Sequence, residues 1–319
     1  YFKELGSGRH VPRAVLADLD PISIDIARKG VCGRLISDDN CINGLRGGHG
    51  LWPRGHYTDG AEVIDLVMDS LRREAEQCDS LQGFQTMHSL GGAAGCGLGT
   101  LMLSKALDEF PDRMHLMYSV VPSPEISDGI FNVYTCILGF NQLIENASGC
   151  VLLDNEAMFN VCRQRQKPQA EKYQLQDLNN LVTGCLSNLT SCLRFPDTLH
   201  TDLRRLVTSL VPFPRLHFLA CSSMPPAANS RETLQQAFDG KHLLCDFNPR
   251  RGRYLAANLV LRGRFSRREV EQHVADVQNT RRRHFDEWIP SHTRISACSL
   301  PAISTDGPTQ CALIGNNTG

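Results

Sequence analysis

The chain has 319 residues, of which 41% are hydrophobic and 21% are charged, and its formal net charge is −1. A chain of this length can bury a large core, and two domains are expected. The near-neutral charge gives no general attraction to nucleic acid or to membranes, and no apolar run is long enough to span a membrane, so we expect a globular protein that binds neither.

Thirteen cysteines are distributed along the chain without a C-x-x-C pair. Several lie in apolar runs, where a free thiol behaves as a small hydrophobic group. The odd number argues against a disulfide scaffold, and the spacing argues against a structural zinc site. We therefore expect a reduced, cytosolic setting.

The first half of the chain alternates strands with helices. The expected strands are at residues 11–19, 81–90, 114–121 and 151–153. The expected helices are at residues 61–75, 100–110 and 128–145, and Thr58 is the expected N-cap of the first of them. Because the strands are continuous apolar runs, they are typical of a parallel sheet that is covered on both faces, so the predicted fold class is α/β.

The second half begins with a broad apolar stripe that predicts a long core helix at residues 175–195. Further strands are expected at residues 216–220, 254–261, 294–300 and 310–314, and further helices at residues 230–239 and 266–283. This sparser alternation predicts a second, α+β domain packed on the long helix. The predicted domains are residues 1–155 and 156–319.

A glycine-rich segment, residues 89–99, connects the expected strand at 81–90 to the helix that follows; we call it the glycine loop. Exposed backbone amides at the start of a helix suit phosphate. The loop nevertheless carries Leu98 where a P-loop has Lys, and Thr100 where a dinucleotide fingerprint has its third glycine. The residues alone leave two alternatives open, a phosphate-binding loop and a tight turn without a ligand.

Short segments along the whole chain resemble tubulins, and β-tubulins in particular. The most specific segments are at residues 11–16, 55–58, 81–85, 119–124, 154–157, 211–218, 287–290 and 314–316. The resemblance implies a tubulin-type α/β domain that binds guanine nucleotide, then a core helix and an α+β intermediate domain. It also implies a divergent chain truncated at both ends, without the first strand and the C-terminal helices of the family.

The resemblance also implies where GTP or GDP would bind. The tubulin loop G-G-G-T-G-S-G corresponds to residues 91–97, and it holds phosphate mainly through backbone N–H groups. The implied nucleotide contacts are Ser89, Gly91, Gly92, Gly95, Gly97, Asp128, Asn155 and Asn179.

Four of the implied polar residues have distinct roles. Asp128 would lie near the ribose, Asn155 and Asn179 would read the guanine edge, and Asp20 would lie near Mg²⁺. From the residues alone, the alternatives stay open that Asp20 is a turn residue before Pro21, Asn155 a helix cap and Asn179 a solvent-facing helix residue.

The glycine loop departs from the family pattern at three positions. Ala93 replaces a glycine, which is costly if that position requires a positive φ. Ala94 replaces a threonine and Cys96 a serine, so two hydroxyl groups that would donate to phosphate are lost. A second glycine loop, residues 44–50, lacks the two asparagines of the family.

Two functions are compatible with this sequence. The first is a GTP-binding, β-tubulin-like subunit of cytoplasmic microtubules that pairs with α-tubulin. Arg205 stands where α-tubulins carry a catalytic Glu, so hydrolysis would occur only in the polymer, with a Glu from the partner. The alternative is a truncated remnant that neither binds nucleotide nor polymerises, because of the altered loop, the missing strand and a shortened segment at residues 219–239.

Overall fold

The protein is described by a computed structural model. It describes residues 1–6, 8–30, 33–123, 131–165, 175–195, 202–224, 236–249, 251–263, 268, 271–272, 275–276, 285, 293–298 and 309–319. These residues form two compact units, Tyr1–Ala147 and Ser148–Gly319. The division into domains predicted from the sequence, residues 1–155 and 156–319, stays a prediction. None of the helices in the described ranges is long and apolar enough to cross a membrane.

The first unit is built from short paired strands and amphipathic helices. Its strands are β1 (Phe2–Glu4), β2 (His10–Pro12), β3 (Leu16–Asp18), β4 (Cys41–Asn43), β5 (Gly83–Ser89) and β6 (Met114–Val121). Its α-helices are α1 (Pro21–Lys29), α2 (Trp52–Tyr57), α3 (Asp59–Glu76), α4 (Gly99–Glu109) and α5 (Phe131–Asn146). Strands β3 and β4 are parallel, as are β5 and β6, whereas β1 and β2 form an antiparallel pair.

Strand β6 has the predicted bounds, and β5, α3 and α4 lie within two residues of theirs. The single strand predicted at residues 11–19 is wrong, because two separate strands occupy that range. Val11 of β2 pairs with Lys3 of β1, whereas Leu16 of β3 pairs with Cys41 of β4. The segment therefore changes partners in the middle, which an apolar pattern does not reveal.

Thr58 precedes α3 as predicted, but its side chain does not cap that helix. Its hydroxyl donates instead to the carbonyl oxygen of Arg54, at 3.0 Å. The reason is that α2 ends where α3 begins, so the hydroxyl satisfies the last turn of α2. The predicted side-chain cap is therefore wrong.

The apolar core of the first unit lies between α3, the β3–β4 pair and the glycine loop. Its buried members are Leu19, Ile42, Val63, Ile64, Val67, Met68, Ala93, Leu98 and Ala106. The four residues from α3 repeat at helical spacing and face the core along one side. Because Ala93 and Leu98 belong to this core, the glycine loop is anchored by apolar packing.

The second unit contains a mixed sheet with helices. Its strands are β7 (Gly149–Asp154), β8 (Phe218–Ser223), β9 (Tyr254–Gly263), β10 (Thr293–Cys298) and β11 (Thr309–Asn317). Its α-helices are α6 (Asn155–Arg165), α7 (Leu175–Leu189), α8 (Ser191–Arg194) and α9 (Leu203–Leu210). The strand order is β10-β9-β11-β8-β7; β11 runs antiparallel to both of its neighbours, and the outer pairs are parallel.

The long helix predicted at residues 175–195 is two helices, α7 and α8. The break is at Thr190, whose hydroxyl donates to the carbonyl oxygen of Leu186 at 2.8 Å. The helices predicted at residues 230–239 and 266–283 fall largely outside the described residues. The mixture of parallel and antiparallel strands confirms the α/β fold class with an α+β second part.

Two helical glycines differ in the space available for a side chain, and their substitution tests how tightly the first unit is packed. A Cβ at Gly139 of α5 would collide with Cys96 Sγ, whereas a Cβ at Gly184 of α7 would meet nothing within 4 Å outside its own helix. We expect Gly139→Ala to lower the free energy of unfolding by about 1–3 kcal/mol through overpacking. Gly184→Ala should raise it by about 0.5–1 kcal/mol through helix propensity. Urea denaturation measures both, and equal effects of the two variants would contradict this packing.

Candidate functional site

The glycine loop begins where β5 ends and runs through a π-helical turn, Ala93–Leu98, directly into α4. Leu90 N–H donates to Val120 O at 2.9 Å and extends the β5–β6 pairing into the loop. Gly91 N–H then donates to Ser89 Oγ at 3.2 Å. The Ser89 side chain, predicted as a nucleotide contact, thus also shapes the first turn of the loop.

The glycines of this loop allow other backbone segments to come close. None of them has a positive φ angle, so left-handed conformation is not the reason for glycine here. A Cβ at Gly95 would lie 2.5 Å from Ser89 O, and one at Gly97 would lie 2.6 Å from Gly55 Cα. Gly92 has room for a side chain, since no atom lies within 4 Å of its Cβ position. The only positive φ angles in the described residues are at His49 and at Gly8, Gly47, Gly48, Gly50 and Gly263.

Ala93 therefore occupies a position that does not require a positive φ, and the condition under which it would be costly is not met. Its methyl group instead faces Gly48 of the second glycine loop, where a Cβ would lie 2.6 Å from Ala93 Cβ. Gly48 itself has φ +61°. The two glycine loops thus contact each other, and a glycine at 48 leaves the space that an alanine at 93 fills.

Cys96 is buried and faces the core. Its thiol donates to Thr135 O of α5 at 3.2 Å, and burial raises the pKa of Cys96 to about 12. The loss of a phosphate-donating hydroxyl at this position stays a prediction, and in this structure the Cys96 side chain itself is buried and directed to Thr135 O. The exchange for cysteine affects core packing.

Two buried histidines outside the loop, His88 and His56, contact backbone carbonyl groups of the loop. His88 Nδ1 lies 2.9 Å from Gly95 O, and His88 Nε2 lies 2.7 Å from Ser119 Oγ of β6. Burial lowers the pKa of His88, so the ring is neutral near pH 7. Sequence reasoning missed this residue; its only signal was a histidine inside an apolar strand.

A second buried polar group comes from α2. His56 Nδ1 lies 3.3 Å from Gly97 O, and its ring stacks on Trp52 with centroids 4.5 Å apart. Trp52 Nε1 donates to Thr100 Oγ1 at 3.2 Å, and Thr100 Oγ1 donates to Cys96 O at 2.6 Å. Burial lowers the pKa of His56 as well. These side chains hold the carbonyl groups at the C-terminal end of the loop.

Asp20 follows β3 and caps α1. Its Oδ1 accepts from Ile22 N–H at 3.1 Å, and its own N–H donates to Asp18 Oδ1 at 3.0 Å. It also lies beside the second glycine loop, since a Cβ at Gly47 would be 3.9 Å from Asp20 Cβ. Within the described ranges, no group of three or more His, Cys, Asp or Glu side chains is arranged to hold a metal ion. Because a Mg²⁺ ion bound to nucleotide phosphates takes only one or two protein carboxylates, the role of Asp20 near Mg²⁺ stays a prediction.

The remaining predicted contacts belong to the second unit or lie outside the described residues. Asn155 is the first residue of α6, but the cap of that helix is Asp154, whose Oδ1 accepts from Glu156 N–H at 3.1 Å. Asn179 is exposed in the first turn and a half of α7, and its carbonyl oxygen accepts from Thr183 Oγ1 at 2.7 Å. Asp128 lies outside the described residues.

The burial of Cys96 is testable by thiol chemistry. With its pKa raised to about 12 by burial, the Cys96 thiol carries almost no thiolate near neutral pH. We expect iodoacetamide to alkylate the partly exposed Cys78 at least about tenfold faster than Cys96, as measured by peptide mass spectrometry. The buried Cys311, also with a pKa raised to about 12, is the matched control and should be as slow as Cys96. Labelling of Cys96 at the rate of Cys78 would place its thiol on the loop surface.

Comparison with known proteins gives matches over the whole chain. Residues 1–163 match the Tubulin/FtsZ family GTPase domain, and residues 214–319 match the tubulin C-terminal domain. The chain is 44% identical to the tubulin beta-8 chain of Oryza sativa subsp. japonica, covering 100% of this chain and 72% of that protein. It is 43% identical to the tubulin beta-2 chain of Anemia phyllitidis, covering 100% of this chain and 79% of that protein. These matches confirm the resemblance seen in the residues: the chain belongs to the tubulin family and is a divergent relative of the β-tubulins.

Proposed function

We propose that this chain is a GTP-binding structural subunit of microtubules that pairs with α-tubulin in the cytoplasm. The observation that carries the proposal is the position of the glycine loop. The loop follows a parallel strand and continues through a π-helical turn into α4, inside the part of the chain that matches the GTPase domain. The Gly99 N–H at the start of α4 donates to Ala94 O and Cys96 O, so the N–H groups without an intrahelical acceptor are expected at the start of the π-helical turn Ala93–Leu98, where the helix dipole adds partial positive charge. This environment suits the phosphates of GTP or GDP.

The departures of the loop from the family pattern are compatible with phosphate binding. Phosphate held by backbone amides does not depend on the side chains at 94 and 96. Ala93 is not strained and Cys96 faces the core. The loss of a hydroxyl group at Ala94 removes at most one hydrogen bond, which contributes about 0.5–1.5 kcal/mol.

Recognition of the base would come from two asparagine side chains. The amide side chains of Asn155 and Asn179 each offer a donor beside an acceptor, which matches the edge of guanine. Asp128 would contact the ribose. Ser89, Gly91, Gly92, Gly95 and Gly97 would surround the phosphates, with Asp20 as the carboxylate near Mg²⁺.

The chain alone would bind GTP without hydrolysing it efficiently. Arg205 on α9 is exposed and forms an ion pair with Asp202, at 3.8 Å. An arginine cannot act as a general base, so a carboxylate for water activation would have to come from the partner. In this proposal α-tubulin contacts the nucleotide face and, at the other end, the region of residues 205–215.

Nucleotide binding is tested by displacement of a fluorescent guanine nucleotide from the purified chain. We expect GTP and GDP, but not ATP, to displace it. Asn179→Ala should weaken binding about tenfold, because the lost hydrogen bonds to a base are worth roughly 1–2 kcal/mol. The matched control is Asn180→Ala, the exposed neighbour in the same helix, which should bind as the unmodified chain does. Equal displacement by ATP, or equal effects of the two variants, would contradict guanine recognition through Asn179.

Pairing is tested by co-expression with α-tubulin and size-exclusion chromatography. We expect a discrete heterodimer peak that contains both chains in equal amounts. Aggregate alone, together with no saturable nucleotide binding, would favour the alternative of a remnant that neither binds nucleotide nor polymerises. The α-tubulin expressed alone provides the reference elution.

A further inference from the structure

The glycine loop is held by two buried histidines from different elements. His88 of β5 contacts Gly95 O at 2.9 Å, and His56 of α2 contacts Gly97 O at 3.3 Å. Both residues are buried, with relative exposures of 8% for His88 and 9% for His56. Neither residue has a place in the proposed binding of GTP, so their position beneath the loop requires its own explanation.

The geometry defines the protonation of His88. A carbonyl oxygen only accepts, so Nδ1 must carry a hydrogen and donate to Gly95 O. In the neutral ring Nε2 then accepts, and the hydroxyl of Ser119 donates to it at 2.7 Å. This tautomer satisfies both ring nitrogens without a charge. For His56, the same argument places a hydrogen on the Nδ1 that faces Gly97 O.

The hydrogen bond of His88 also orients an amide. In a trans peptide the C=O and N–H groups point in opposite directions. With Gly95 O directed down to His88, the amide of Cys96 points the other way and donates to Gly92 O at 3.0 Å. This second bond closes the turn over residues 92–96. The ring of His88 thus fixes the turn that presents the first amides of the loop.

The groups of the described residues that contact the two rings by hydrogen bonds or ring stacking are uncharged. The lowered pKa of His88 is caused by burial, opposed only by the bond to Gly95, and that of His56 by burial, opposed by the bond to Gly97. No charged side chain of the described residues contributes to either shift. The groups that face the rings are Ser119 and Gly99 for His88, and Trp52, Thr100 and the titratable Tyr57 for His56.

We propose that His88 and His56 are positioning residues of the nucleotide site, which hold the glycine loop in its phosphate-binding shape through neutral N–H donors to Gly95 O and Gly97 O. The proposal rests on the proposed binding of guanine nucleotide, and it adds a regulation of that site by protons. Protonation of His88 would make Nε2 a donor that faces the Ser119 hydroxyl and would put an uncompensated charge in the core. The loop would then loosen at low pH.

The sign of the pH effect follows from burial. A histidine whose folded pKa lies below its unfolded value of about 6.5 is neutral in the folded chain while the unfolded chain takes up a proton. Its contribution to loop stability is present above that value and is lost as the pH falls through the folded pKa. Nucleotide affinity should decline over the same range.

Two substitutions at His88 distinguish the effect of losing the Nδ1 donor from the effect of losing the imidazole ring. In His88→Asn the side-chain N–H₂ takes the place of Nδ1, so it still donates to Gly95 O, but it never takes up a proton. In His88→Gln the amide takes the place of Nε2, so it reaches Ser119 and not Gly95. The matched control is His115 on the neighbouring strand β6, also buried, whose Nε2 lies 3.3 Å from Phe110 O, away from the loop.

Two measurements are made on the full chain. Hydrogen exchange with mass spectrometry gives the protection factors of the loop amides without nucleotide, at about pH 7.5 and about pH 5.5, on either side of the usual histidine pKa. Displacement of a ribose-labelled fluorescent GDP gives the affinity at the same pH values. We expect His88→Gln to lose loop protection and affinity by about three- to tenfold, the equivalent of one hydrogen bond. His88→Asn should keep both and show a smaller pH dependence than the unmodified chain, in which His56 and His88 both titrate, and His115→Asn should behave as the unmodified chain does.

Equal loop protection in His88→Asn and His88→Gln would overturn the positioning role. If the unmodified chain binds no nucleotide, the proposed function fails, and the exchange difference between the two variants still decides the role of His88. If both variants fail to fold, the unmodified chain decides it: loop protection must fall with pH before that of α3. Simultaneous loss in the loop and α3 would also overturn the proposal.

Discussion

The close approach of the glycine loop to helix α2 is the constraint on which the rest of the first unit depends. A Cβ at Gly97 would lie 2.6 Å from Gly55 Cα, and a Cβ at Gly55 would collide with Ala93 O. Two backbones at this distance leave no room for side chains, so glycine is required on both sides. The contact brings His56 under Gly97 and lets Thr100 reach the loop carbonyls. The shape of the candidate phosphate site is therefore a consequence of backbone packing.

Glycine is present in the two glycine loops for different physical reasons. In residues 89–99 glycine allows close contact, whereas in the second loop four successive residues have positive φ angles, with His49 as the one non-glycine among them. The changes at 93 and 96 are both matched by a neighbouring glycine. Gly48 leaves space for the Ala93 methyl group, and Gly139 leaves space for the Cys96 thiol. The loop thus differs from the family pattern through changes that its surroundings accommodate.

The sequence predicts elements well where one physical signal dominates. Strand β6 is a mostly apolar, buried run and α3 has one apolar face, and both were located to within two residues. Prediction failed where tertiary partners decide. The range 11–19 splits because β2 and β3 pair with different strands, and α9 was missed although its buried residues repeat at i, i+3, i+4 and i+7. For the site, motif comparison located the loop, but not the buried histidines beneath it, because a hydrogen bond from a side chain to a distant carbonyl leaves no local pattern.

The proposed site would use two kinds of interaction, which differ in how well they tolerate amino-acid substitutions. In the proposed function, phosphate binding through backbone amides would depend on loop shape, which packing and two neutral histidines maintain, so a substituted side chain in the loop would remove at most one hydrogen bond and leave the backbone donors in place. In the proposed function, base recognition would depend on individual amide side chains, Asn155 and Asn179, whose replacement would remove the paired donor and acceptor at once. If the proposed function holds, a divergent tubulin with an altered loop and both asparagines present would retain the part of the site that substitutions damage most easily. This balance favours a nucleotide-binding protein over a remnant.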